Sequence, residues 1–147
     1  MSTVDVSAAE ALQGALAAEH AALWSYALAL AFLPADQARQ ARLDVEAHRT
    51  LRAQVERTLT DLGQKPVSAQ PAYATPKPVV DAASAAALAV VAETNAMMAW
   101  RSVLERTTNR PVRQAAVAAL TDATLRCARW RVVVRMPPAI PVFPGRP

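Results

Sequence analysis

Displaced by 74 positions, the second half of this chain falls on the first without a gap. Ser7 falls on Asp81, Glu19 on Glu93, Tyr26 on Trp100 and Leu30 on Leu104. At the same offset Arg39-Gln40-Ala41 falls on Arg113-Gln114-Ala115, and Thr50-Leu51-Arg52 on Thr124-Leu125-Arg126. Alanine-rich helices align with one another easily, but two such triplets at one offset do not. A repeat of this length restricts the fold to two copies of one helical unit that bury a shared core.

The unit is legible from its first helix. Alternating steps of four and three give Leu12, Leu16, Glu19, Leu23, Tyr26, Leu30 and Leu33, an apolar seam on one helix face with a carboxyl group set into it. The copy repeats that seam as Ala86, Val90, Glu93, Met97, Trp100 and Leu104. Ser7 followed by Glu10 has the form of a capping box, so the spacing predicts a first helix over about 7–33, stopped by Pro34. A second follows over 35–62 and ends at Gly63. Pro66, Pro71, Pro76 and Pro78 make 63–80 an extended crossover. A third helix is predicted over 81–108, a fourth over 110–135, and a proline-rich tail over 137–147 that drapes or frays. Short joints make each helix pair an antiparallel hairpin. The expected fold is therefore all-α: two hairpins joined by a long crossover around a pseudo-twofold axis, a four-helix bundle over residues 1–136. With 147 residues, 53% of them hydrophobic, and only three glycines, the chain can bury such a core unaided.

The seam acids carry the functional question. Burying an isolated carboxylate costs several kcal/mol, so Glu19 and Glu93 require a cation, a metal or a set of donors. Helix two reads Ala41, Val45, His48, Arg52, Val55 and Leu59; helix four reads Ala115, Ala119, Asp122, Arg126 and Arg129. Each stripe is interrupted by a polar pair four residues apart, and the repeat places His48 over Asp122. Glu19, His48, Arg52, Glu93, Asp122 and Arg126 are thus the expected central polar layer.

This pattern resembles the ferritin-like superfamily over about residues 7–135, and the Ala- and Arg-rich style with AAEHAALWSY at its start is similar to an uncharacterised bacterial branch of it. Metal-bearing members hold two irons with a lone Glu on the first and third helices and Glu-x-x-His on the second and fourth. The resemblance implies Glu19, His48, Glu93 and Asp122 as metal ligands. It also exposes departures: Val45 and Ala119 stand where bridging acids belong, and Asp122 replaces a histidine. Asp44 and Glu46 lie roughly 100° around the helix from Val45, off the centre. Three acids against Arg52, Arg126 and a protonated His48 balance without metal. The leading reading is a non-enzymatic scaffold or interaction bundle with a degenerate metal site, holding an arginine–carboxylate network with no catalytic residue or cofactor. The alternatives are a metalloprotein binding one Fe, Mn or Zn ion or a di-iron pair, and a basic DNA-associated bundle.

The remaining features narrow the classes. Sixteen basic against 12 acidic residues give a net charge of +4, scattered over helical faces, which argues little for nucleic acid. No charge-free run of membrane-spanning length and no leader stand out, and Cys127 is alone; a soluble cytoplasmic protein without a membrane partner is expected. Surplus Ala and Leu surface predicts a homodimer, with no other protein partner named. His20 is read as a boundary residue, and Trp24, Met97, Met98, Trp100, Trp130 and Cys127 as core. No phosphate-binding loop, serine elbow or Cys metal pattern occurs.

Overall fold

The computed structural model describes residues 3–147, so Met1 and Ser2 of the expected domain lie outside the described residues. Four helices and no strand form among them: α1 Thr3–Leu30, α2 Ala35–Asp61, α3 Ala82–Arg106 and α4 Arg110–Val133. The capping box occurs at the start of α3 and not at Ser7. Asp81 Oδ1 accepts from the Ser84 N–H at 2.8 Å, while Ser84 Oγ accepts from the Asp81 N–H at 3.1 Å. At the expected first start, the chain is already helical from Thr3 and passes through Ser7. Asn109 caps α4 by accepting from the Val112 N–H at 3.1 Å, and Pro111 sits in the first turn, where a missing N–H is harmless. Gly63 closes α2 at φ 72°, the left-handed conformation that lets Gln64 N–H reach back to the Leu59 carbonyl at 2.8 Å.

Helix α1 packs on α2 and α3, and α3 also packs on α4. The α1–α3 pair is the tightest. Both helices carry fully buried alanines, Ala15, Ala22 and Ala29 on α1 and Ala85, Ala86 and Ala96 on α3, small side chains that let packed backbones approach. Two hydrogen bonds fix their direction. Trp100 Nε1 donates to Glu19 at 2.8 Å and Tyr26 Oη donates to Glu93 at 2.7 Å. Glu19 to Tyr26 ascends α1 while Trp100 to Glu93 descends α3, so the helices are antiparallel, with Ala22 and Ala96 midway between the two bonds.

In α1 and α3 the repeat holds along the inner seam. Leu12, Glu19, Tyr26 and Ala29 are buried, and so are Ala86, Glu93, Trp100 and Val103, each 74 positions on. In α2 and α4 it does not. Counterparts at that offset of Ala41, Asp44, His48 and Val55 are Ala115, Ala118, Asp122 and Arg129, and all four are exposed. One residue further on, Ala116, Ala119, Ala123 and Trp130 are buried. A single residue is about 100° of helix rotation, so the matching triplets align sequence but not faces.

The proline-rich crossover is held along α1. Gln13 Nε2 donates to the Lys65 carbonyl and Gln13 Oε1 accepts from the Val67 N–H, both at 2.8 Å. His20 is buried, and its Nε2 lies 3.0 Å from the Val67 carbonyl; it anchors the crossover from beneath. The tail is draped and pinned. Arg131 donates to the Pro138 carbonyl at 2.8 Å and Arg101 to the Pro144 carbonyl at 3.2 Å. Gly145, at φ 79°, sits where a Cβ would come within 2.6 Å of the Met97 carbonyl oxygen. By length and composition α3 is apolar enough to cross a membrane, yet half of that window is buried inside the bundle, as in a core helix.

Candidate functional site

Two adjoining polar layers cross the centre of the bundle. In the first, His48 stands between the seam acids: Nδ1 lies 2.5 Å from Glu19 Oε2 and Nε2 lies 2.8 Å from Glu93 Oε1. All three side chains are fully buried. Arg126 Nε donates to Glu93 Oε1 at 3.0 Å, Tyr26 donates to the same oxygen, and Trp100 donates to Glu19 Oε1. The second layer is built on Asp44, which is 2% exposed. Trp130 Nε1 and Arg129 each donate to it at 2.9 Å and Gln40 at 3.1 Å, one oxygen taking the indole and the other the two remaining donors. Tyr26 joins the layers, its hydroxyl lying 3.3 Å from Asp44 Oδ2 and its ring 5.6 Å from the His48 ring and 6.2 Å from Trp130.

The electrostatics follow from burial set against pairing. Burial alone would drive the proton off His48, but its hydrogen bonds to Glu19 and Glu93 and their charges outweigh that and raise its pKa from 6.5 to about 9. Burial pushes the Glu93 carboxyl up, and His48, Arg126 and Tyr26 more than reverse it, so it stays below the ordinary carboxylate value. Burial and the Glu93 and Asp44 charges hold the Tyr26 proton well above its usual value. Burial opposes the Arg126 charge, and Glu93 more than restores it. The layers thus set three carboxyl groups, Glu19, Glu93 and Asp44, against three basic side chains, His48, Arg126 and Arg129.

Of the expected residues, Glu19, His48, Glu93 and Arg126 come together and two do not. Asp122 is exposed on α4, away from the layer, because α4 is rotated by one residue relative to the repeat. Arg52 is half-buried and makes no ion pair with the layer; Arg129 supplies the third positive charge in its place. Asp44, expected off the centre, is inside it. The buried face of α2 runs Ala41, Asp44, His48, with Val45 only half-buried, since an apolar stripe is wide enough to admit either neighbour. By sequence alone Tyr26 is a seam residue and Trp100 a core residue. Their spacing carried a signal, for each lies seven residues, two turns, after its own helix's acid and donates to the acid of the other helix.

A di-iron centre does not fit these side chains. Both ring nitrogens of His48 are taken by carboxylates, and the guanidinium of Arg126 lies against Glu93. Val45 on α2 and Ala119 and Ala123 on the buried face of α4 are hydrocarbon and can ligate no metal. Among the described residues, no group of three or more His, Cys, Asp or Glu side chains has metal-holding geometry. Glu93 Oε2 and Arg126 Nη2 are the buried layer atoms that lack a protein partner, one acceptor and one donor.

Comparison with known families places this arrangement. Residues 11–147 match the family model described as a domain of unknown function, DUF4439. The chain belongs to this family. Among solved structures, the DUF4439 chain is similar to the conserved hypothetical protein rv2844 of Mycobacterium tuberculosis. The identity is 32% and the TM-score 0.84, over 90% of this chain and 98% of that one. It is also similar to a ferritin-like, di-iron-carboxylate protein of Bacillus anthracis, at 16% identity and TM-score 0.76, over 91% and 99% of the two chains. The second likeness shows the fold: DUF4439 here is a ferritin-like four-helix bundle. No curated protein matches the chain.

Proposed function

We propose that this protein is a non-enzymatic ferritin-like bundle, a scaffold or interaction module in which side-chain cations take the place that metal holds elsewhere in the fold. One observation carries the reading. His48 bridges Glu19 and Glu93 with both ring nitrogens, so the imidazole that would be a ligand acts as the cation between the two acids. Such a layer specifies helix register more than it adds stability, because desolvating the charges offsets most of their attraction. With one buried, unpaired cysteine, a cytoplasmic setting fits the same reading.

Metal analysis of protein purified without chelators tests it. The expected content is below about a tenth of an equivalent of Fe, Mn or Zn. A stoichiometric metal that is lost in His48→Ala would overturn the reading in favour of a metalloprotein using Glu19, His48 and Glu93.

A further inference from the structure

The outermost face of α4 is apolar, which is unusual for a bundle helix. Val117, Leu125 and Val132 are 52%, 49% and 67% exposed, and with Thr121 and Ala128 they form one stripe at spacings of four, four, three and four. That stripe lies opposite the buried face of Ala116, Ala119, Ala123 and Trp130. The corresponding outer face of α2 carries Arg39, Arg42, Glu46, Arg49 and Arg57, all exposed and charged. Helix α4 is thus apolar on two faces, and one of them lacks a partner within the chain.

We infer that a second copy of this chain covers the stripe, by antiparallel packing of α4 on α4 about a twofold axis at Leu125. The stripe is nearly palindromic about that residue. Turned end for end, Leu125 meets Leu125 of the second copy, Thr121 meets Ala128 and Val117 meets Val132, so the pattern is complementary to itself, as an isologous interface requires. The flanking charges complement one another in the same register. Asp122, exposed on the stripe's edge, faces Arg129 of the second copy, whose guanidinium is 47% exposed and holds Asp44 by a single nitrogen. From Val117 to Val132 the seam is about 22 Å long, short for a stable interface by itself. Val133 on α4 and Leu43 on α2 are further apolar side chains, 42% and 63% exposed, available to a wider contact.

Light scattering at high micromolar concentration, with circular dichroism as the control for folding, tests the inference. The wild type is expected to be dimeric, Leu125→Asp monomeric with unchanged helicity, and Asp122→Arg to raise the dimer Kd about tenfold. Leu125→Cys is expected to form a disulfide-linked dimer on oxidation, because the axis brings the two positions together. A monomeric wild type overturns the inference. So does a wild-type dimer that survives Leu125→Asp, or one whose Leu125→Cys variant does not cross-link.

Discussion

Helices α1 and α3 reproduce one another along their inner seams, whereas α2 and α4 share an outline and little else. The first pair offers an acid and, two turns later, an aromatic donor on each helix, and each donor serves the other helix's acid. The second pair holds what is left over: His48 and Asp44 on α2, Arg126, Arg129 and Trp130 on α4. The symmetric pair fixes where two negative charges are buried. The asymmetric pair decides how they are neutralised, and here it does so with side-chain cations.

Substitutions break this comparison in a definite order. His48→Ala leaves Glu19 and Glu93 facing each other without the cation between them, and is expected to destabilise by about 3–5 kcal/mol in denaturant titration. Asp122→Ala, at the position the repeat equates with His48, is expected to cost no more than about 0.5 kcal/mol. Arg126→Ala follows at about 2–3 kcal/mol, because His48 still serves Glu93 while one donor is lost; Arg52→Ala, at the repeat position of Arg126, should stay within about 0.5 kcal/mol. A large loss for Arg52→Ala with none for Arg126→Ala would reverse the assignment of α4's inner face.

The pH dependence sharpens the same contrast. His48 binds its proton more tightly folded than unfolded, so its contribution is complete below pH 6.5 and is lost as the pH rises through about 9. Glu93 is shifted the other way, so its contribution is complete above pH 4.5 and is lost on acidification. Stability should peak between these limits and fall by on the order of 2 kcal/mol from pH 6.5 to pH 9, a slope that His48→Ala abolishes. Among substitutions within the layers, the smallest effects belong to the matched donors. Tyr26→Phe and Trp100→Phe each remove one hydrogen bond to a buried acid, at about 1–2 kcal/mol, and near-equal losses in thermal unfolding would confirm the symmetry of α1 and α3.

Much of the fold was legible because it depends on local patterns. Pro34, Gly63, Asp81 and Asn109 punctuate the helices, and the seams of α1 and α3 repeat with the helical period. Their acids were visible as interruptions in apolar stripes. Ser7 misled because a capping pair is a local option, and helix α1 continued through it. Asp122 and Arg52 misled for a different reason: the RQA and TLR triplets fixed an alignment of letters, while the inward face of α4 is set by what it packs against.

The sequence by itself determined four helices, their pairing through short joints, the crossover, and two buried acids related by the repeat, because periodicity and helix stops act within a few residues. His48 and Arg126 were legible beside those acids; only the tertiary structure decided that Asp44 and Arg129 join them while Asp122 and Arg52 stay out. Rotating α4 by a single residue removes Asp122 and brings in Trp130, and a fourth helix is free to make that rotation until it packs. Asp44 is buried for the same reason. Its carboxylate is tolerable at the centre because Trp130 and Arg129, 86 and 85 residues away, deliver donors to it, a condition that no local stretch of chain encodes.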